Sequence, residues 1–313
     1  MTYTQKDLIS TQNLTKEDIF SFLSLADKFK NLNKKPNKKD NLLVGKTVIN
    51  VFFENSTRTR TSFEIAAKRL GADAINFTSS NSSTKKGETL IDTIKNLEAM
   101  RSDIFVVRHD CSGVAQFIAQ NTDVCVVNAG DGLNEHPSQA LLDLYTIREQ
   151  RGNLDNLTVA IIGDVFHSRV ARSNIWAMKT LGINLKIFAP PIMMPIGMET
   201  LGCQICKNME EAIDGSDVLI MLRIQLERQD GSAKFPSIRE YSKYFGLTKK
   251  KMEIAKDGLM ILHPGPINRG VEVDSNVADD KRFSHILNQV ENGVAIRMAI
   301  LSTLDQNRYK GKQ

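Results

Sequence analysis

Five consecutive residues, Ser56-Thr57-Arg58-Thr59-Arg60, put three hydroxyls and two guanidiniums into a single turn of chain. Short donors and planar forks of that kind suit the oxygens of a phosphate group. Before them, residues 47–53 are β-branched or aromatic, broken only by Asn50, which reads as a buried parallel strand. After them, Phe63, Ala66, Ala67 and Leu70 recur at helical spacing and Gly71 follows where a helix would end. The donors therefore stand at a helix N-terminus, where unpaired N–H groups and the macrodipole attract anions. A cap from Ser56 or Asn55 alone would not call for so many of them.

The elements that position this turn belong to a longer series. Short apolar runs at 74–77, 104–107 and 124–127 alternate with helical patterns through Leu90, Ile94 and Leu97 and, more weakly, through 114–119. Strand and helix in repetition argue for a parallel sheet covered by helices. An amphipathic helix carrying Leu141, Leu142, Leu144, Tyr145 and Ile147 ends near Gly152 and leads into a second series. Its strands are expected at 159–162, 185–188, 218–222 and 259–262, with a helix at 170–181. A further helix is expected at 17–29, and the lysine-rich segment 31–41 reads as a solvated loop. The expected architecture is α/β, in two domains, each a mainly parallel sheet flanked by helices. The last helical pattern, 294–304, is free to pack back on the first half.

In open α/β sheets ligands collect outside the carboxyl ends of the strands. Behind the strands of the first half lie the 56–60 turn, the segment 82–86, Arg108-His109 and the loop 130–139; behind those of the second lie 163–172, Arg223-Ile224-Gln225 and 263–270. Each offers a cation, a hydroxyl or an imidazole. Carboxylates are fewer, which points to binding anions and not to divalent-metal chemistry.

Length and composition set the frame. The 313 residues allow two domains of about 150 each. Hydrophobic residues make up 41% and charged residues 25%, as in an ordinary soluble globular protein. No apolar run reaches membrane-spanning length and residues 1–10 have no apolar core for a secretion signal, so the expected location is the cytoplasm, with no membrane partner. The net charge of +5 is spread along the chain, and with 6% aromatics and no nucleic-acid motif a nucleic-acid partner is not expected. Cys203 and Cys206 have redox or zinc spacing but lack a second ligand pair, so they and Cys111 and Cys125 read as incidental thiols. Gly163 follows a strand, yet the full Gly-x-Gly-x-x-Gly pattern of a dinucleotide site is absent.

Taken in order from about residue 43 to 297, these stretches resemble the aspartate and ornithine carbamoyltransferases. The 56–60 motif, Arg108 and the turn His136-Pro137-Ser138-Gln139 match the carbamoyl phosphate half common to the family; Lys85-Lys86-Gly87-Glu88-Thr89-Leu90, Arg223-Ile224-Gln225 and His263-Pro264-Gly265-Pro266 look like its aspartate branch. The His-Cys-Leu-Pro segment of the ornithine branch is not present. The resemblance implies a carbamoyl phosphate-binding domain formed by residues 1–140 and 291–313 and an aspartate-binding domain formed by 141–290. It implies that Ser56, Thr57, Arg58 and Thr59 hold the phosphate, that Arg108 reaches phosphate and carbonyl oxygen, that Thr59 and His136 polarise that carbonyl, and that Gln139 faces the carbamoyl amide. Arg169 and Arg223 are implied as carboxylate clamps for aspartate, with Gln225 beside them and the backbone carbonyls of Pro264 and Gly265 contributing; some relatives carry leucine at Gly265. A neighbouring subunit is implied to lend Ser82 and Lys86, and hence a homotrimer with shared sites. No metal or organic cofactor is implied.

The reaction so implied moves the carbamoyl group from carbamoyl phosphate to the α-amino group of L-aspartate, in pyrimidine synthesis. Attack on the carbamoyl carbon builds charge on the carbonyl oxygen, and each preorganised donor there is worth about 3 kcal/mol. The departing phosphate needs neutralisation and not a nucleophilic side chain. Plainer readings stand beside these roles: Arg60 as a supporting ion-pair member, Arg172 as the rival to Arg169, and Lys86 as a solvated partner of Glu88. His109, His167, His263 and His285 are read as structural or incidental. Rival functions are transfer to ornithine or another amine, and a phosphometabolite-binding protein without turnover.

Overall fold

The computed structural model describes residues 2–78, 87–225 and 237–310. The chain forms two compact units, residues 1–145 with 291–313 and residues 146–290. Each is built on an all-parallel sheet.

The first unit opens with α1 (Lys16–Asn33), started by a reciprocal cap in which Thr15 Oγ1 accepts the Asp18 N–H and the Asp18 carboxylate accepts the Thr15 N–H, both at 3.1 Å. Four strands follow, β1 (Thr47–Phe52), β2 (Asp73–Thr78), β3 (Ile104–His109) and β4 (Cys125–Asp131), ordered β2-β1-β3-β4. The helices α2 (Thr57–Arg69), α3 (Leu90–Ala99) and α4 (Val114–Gln120) alternate with them. The β-branched and aromatic runs end where expected because β1 and β3 are the central strands: Ile49, Val51, Phe105 and Val107 join Ile94 and Ile118 in one buried cluster. Asn50, the one polar residue in the β1 run, is fully buried and donates to Asn76 Oδ1 on β2 at 2.9 Å.

The chain leaves this unit within α5 (Pro137–Arg151) and returns to it within α10 (Ile286–Lys310). The second unit has β5 (Thr158–Ile162), β6 (Asn184–Phe188), β7 (Gln204–Ile205), β8 (Val218–Met221) and β9 (Met260–Leu262) in the order β7-β6-β5-β8-β9, with α6 (Arg169–Thr180), α7 (Met209–Ile213), α8 (Ile238–Phe245) and α9 (Ser275–Ala278). Strand β7 is an addition to the expected set. It has two exposed residues at the sheet edge, one of them Gln204, and so no apolar run to announce it. It lies between Cys203 and Cys206, whose side chains are buried and whose thiols burial pushes above their ordinary values. Among the described residues no helix is long and apolar enough to cross a membrane.

Candidate functional site

In the first unit the turn expected to bind an anion is the junction of β1 and α2. Ser56 is the N-cap residue, yet its side chain makes no capping hydrogen bond, and no acidic residue lies in the first turn. A cap hydroxyl left out of the helix and a first turn without carboxylates keep the helix end available for an external anion. Thr57 and Arg58 are exposed and Thr59 is buried, so the donors of the turn range from solvent to core. Arg60 stands apart from them in one respect: with the Lys68 and Asn76 hydrogen bonds leading, its charge helps hold the Glu64 carboxyl below its ordinary value.

Arg108 reaches the same junction from β3. Phe52 and Arg108 are register partners, and the Phe53 N–H donates to the Arg108 carbonyl at 2.9 Å. Between Val107 and His109 the pairing with β4 shifts, so that Arg108 opposes Ala129 and Gly130 together. Such a bulge re-aims a side chain. The guanidinium donates from Nη1 to the Ala129 carbonyl at 3.2 Å and from Nη2 to Glu54 Oε1 at 3.1 Å, and its side chain is only 12% exposed. It is a held cation, not a solvated one, and Glu54, given no role by the sequence reading, stands two residues before Ser56.

His136 is positioned by the loop after β4. Asp131, fully buried, accepts the N–H of Glu135 at 3.1 Å and the amide of Asn128 at 2.7 Å on Oδ1, and the N–H of Gly113 at 2.7 Å and Asn134 Nδ2 at 3.1 Å on Oδ2. The Glu135 carboxylate in turn accepts the N–H and hydroxyl of Thr11, at 2.8 and 2.7 Å. The loop ends with His136 as the residue before α5, its carbonyl accepting the Gln139 N–H at 2.9 Å, and its side chain is 3% exposed. Gln139 is also buried and donates from Nε2 to Asp143 Oδ1 at 2.9 Å. Ser82 and Lys86 lie outside the described residues.

In the second unit, Arg169 begins α6 behind the cap Ser168, whose hydroxyl accepts the Ala171 N–H at 3.1 Å. Arg169 is buried and its rival Arg172 is exposed. Arg223 and Gln225 follow β8 and are half-buried. Asp164 ties these two loops together. This fully buried carboxylate accepts the His167 N–H at 3.2 Å and lies 2.8 Å from His167 Nδ1 through Oδ1, and it accepts the Gln225 N–H at 3.2 Å through Oδ2. Pro264 and Gly265 follow β9, which neighbours β8, and are half-buried. The His263 Nδ1 accepts the Gly265 N–H at 2.8 Å, so it carries no proton, and Nε2 is left to donate to Glu272 Oε1 at 3.2 Å. Glu272 also accepts the Asn268 N–H at 2.7 Å. His263 and His167 thus act on the loops they belong to. Their sequence signal was only the proximity of a histidine to a named loop.

Among the described residues, one trio of metal-ligand types is close together, His109, Asp110 and Cys111, with ligand atoms within 4.8 Å of one another. His109 Nδ1 already accepts the Cys111 N–H at 2.9 Å, and Asp110 and Cys111 are exposed.

Residues 6–149 match the family profile described as aspartate/ornithine carbamoyltransferase, carbamoyl-P binding domain, and residues 155–304 match that of the Asp/Orn binding domain. The chain is 70% identical over 308 residues to a protein of Campylobacter hominis named aspartate carbamoyltransferase catalytic subunit, covering 98% of this chain and all of the relative. It is 69% identical over 310 residues to the protein of the same name from Campylobacter fetus subsp. fetus, covering 99% and all of that chain. Among solved structures, the aspartate transcarbamoylase of Trypanosoma cruzi in complex with carbamoyl phosphate superposes with a TM-score of 0.87 at 31% identity, over 96% of this chain and 97% of that one. The same enzyme in complex with N-(phosphonacetyl)-L-aspartic acid gives 0.87 at 32%, over 96% of each.

Proposed function

The chain belongs to the aspartate/ornithine carbamoyltransferase family, and we propose on that footing that it is an aspartate carbamoyltransferase. It transfers the carbamoyl group of carbamoyl phosphate to the amino group of L-aspartate, giving N-carbamoyl-L-aspartate and phosphate for pyrimidine biosynthesis. The observation that carries the choice of acceptor is end-to-end identity with relatives named for aspartate. The matching of cation-rich loops to a dicarboxylic acceptor supports it.

Ser56, Thr57, Arg58 and Thr59 bind the phosphate at the uncapped end of α2. Thr59, Arg108 and His136 donate to the carbamoyl oxygen, and Gln139 accepts from the carbamoyl amide. Arg169, Arg223 and Gln225 bind aspartate, with the carbonyls of Pro264 and Gly265 as further acceptors. The aspartate nitrogen forms its bond to the carbamoyl carbon and loses a proton, and the bond from that carbon to the phosphate oxygen breaks with its electron pair, so that the departing phosphate takes up the proton. Charge grows on the carbonyl oxygen first and on the phosphate afterwards. Both are places where fixed donors lower a barrier without reorganising. Arg108, pinned by Glu54 and Ala129, is such a donor. Oriented binding of two anions supplies the rest of the acceleration. Ser82 and Lys86 complete the site of a neighbouring copy in a homotrimer, and the enzyme works in the cytoplasm. No resident metal or organic cofactor takes part in this scheme.

The test is to offer the purified protein carbamoyl phosphate with aspartate, ornithine or other amines in turn and to identify the carbamoylated product. Product from aspartate alone is expected. Turnover with ornithine in preference to aspartate, or tight carbamoyl phosphate binding with no phosphate released in the presence of aspartate, would overturn the assignment.

A further inference from the structure

Gln139 and Asp143 lie one turn apart on the same face of α5, both buried, with Gln139 Nε2 donating to Asp143 Oδ1 at 2.9 Å. A carboxylate has only acceptors to offer, so the nitrogen end of the Gln139 amide must be the end that faces it. The oxygen end is then turned the other way. An amide in a neutral setting has no such preference, because its two ends have nearly the same shape.

The charge on Asp143 is itself accounted for. Arg297, on α10, is buried and stands over the ring of Phe63 on α2, its guanidinium 5.1 Å from the ring centre. Burial outweighs the opposing negative charge of Asp143 and brings its pKa down to about 10. Gly293 makes room for it: a β-carbon there would collide with Arg297 Nη1. The cation that faces Asp143 therefore rests on the helix that carries the phosphate-binding turn.

We propose that Asp143 is a positioning residue that sets the specificity of the site for a carbamoyl group, by locking Gln139 with its carbonyl oxygen toward the substrate. The inference rests on the role given to Gln139 above. A locked Oε1 accepts an N–H from the carbamoyl amide. It has nothing to accept from acetyl phosphate, in which a methyl group replaces that amide at nearly the same size. A buried acceptor left unpaired by the wrong ligand is the kind of penalty that gives a site its discrimination. Without the Asp143 charge, Gln139 can turn its NH2 outward, donor against donor, and the preference for carbamoyl over acetyl is lost.

The experiment compares the wild-type protein with Asp143→Asn, an isosteric change, by measuring dissociation constants for carbamoyl phosphate and acetyl phosphate on the same preparations, with inorganic phosphate as reference. The ratio of two affinities does not depend on the fraction of protein folded, so partial unfolding of the variant does not mask the result. Carbamoyl phosphate is expected to weaken about tenfold in Asp143→Asn, with acetyl phosphate and inorganic phosphate unchanged, and kcat to fall as well. Asp143→Glu, which keeps the charge, is expected to restore part of the ratio. A carbamoyl-to-acetyl ratio in Asp143→Asn equal to that of the wild type would overturn the proposal. Failure of the wild-type protein itself to prefer carbamoyl phosphate would overturn the role of Gln139 and this proposal with it, so the two failures are told apart by which protein shows them.

Discussion

Replacing Asp164 by Asn tests whether the two loops of the second unit proposed to bind aspartate are held by one carboxylate. Asp164 is fully buried and receives donors on both oxygens, the N–H and ring nitrogen of His167 on one and the Gln225 N–H on the other, at 3.2, 2.8 and 3.2 Å. Asparagine has one oxygen. If it stays with His167, its NH2 group meets the Gln225 N–H, two donors face to face, and the loop carrying Arg223 and Gln225 loses its anchor. A buried N–H left unpaired costs about 1–3 kcal/mol. If all of it falls on aspartate binding, kcat/KM for aspartate drops on the order of 5- to 150-fold. Steady-state kinetics with each substrate varied in turn would read this, together with a direct measurement of carbamoyl phosphate binding. The loss should fall on aspartate, since the Asp164 hydrogen bonds go to His167 and Gln225 and to none of the residues proposed to bind phosphate. A folded Asp164→Asn protein with unchanged kcat/KM for aspartate, or one that loses carbamoyl phosphate affinity to the same degree, would refute the reasoning.

Two further outcomes follow from other parts of the molecule. If Lys86 serves a neighbouring copy, mixing inactive Arg58→Ala chains with inactive Lys86→Ala chains should restore a fraction of wild-type activity, and properly formed hybrids that stay inactive would remove the shared site from the scheme. The Asp217 carboxyl is pushed up by burial, but the hydrogen bonds from Lys256 and the Thr158 N–H, both 2.8 Å, and the charges of Lys256 and Arg151 bring it below its ordinary value. A lowered folded-state value means stability that is complete above the ordinary carboxylate range and is lost as pH falls through the folded-state value. Wild type should therefore melt above Asp217→Asn at neutral pH, and that gap should narrow as the pH falls below the ordinary carboxylate range; a gap that stays constant through that fall would count against the linkage.

Much of the fold was legible because apolar periodicity is a local signal. The runs at 47–53, 104–107, 159–162 and 218–222 became β1, β3, β5 and β8, which with β6 are the inner strands of the two sheets, where burial on both faces leaves a mainly apolar stretch. Elements at the margins were not legible. Strand β7 has two residues and no apolar face, while α7 and α9 are five and four residues long, too short for a helical period to register. The 56–60 turn could be read as an anion site because its signal is residue type, and type is what a sequence states. That Ser56 would not cap α2 could not be read, since Ser at that position most often does.

What the sequence hid were the acids behind the cations. Counting residue types at the strand ends found few carboxylates and gave them no task, since a lone Asp or Glu in a loop looks the same whether it is solvated, metal-bound or buried against backbone N–H groups. The structure resolves the ambiguity through partners. Asp131, Asp164 and Glu272 each accept backbone N–H groups of a loop that carries a proposed site residue, and Glu54 and Asp143 do the same for the side chains of Arg108 and Gln139. These carboxylates thus have acceptor capacity spent inward. The outward side is left with donors, and a site meant for a phosphate and a dicarboxylic acid needs that asymmetry, because a carboxylate facing either substrate would repel it. In the proposed scheme Gln139 is the side chain that must present an oxygen, beside the backbone carbonyls of Pro264 and Gly265, and it is the one whose NH2 group is received by a buried carboxylate. An arrangement in which inward acids dictate outward polarity predicts that neutralising any of these acids changes which ligand is preferred more than it changes how tightly anions in general are held.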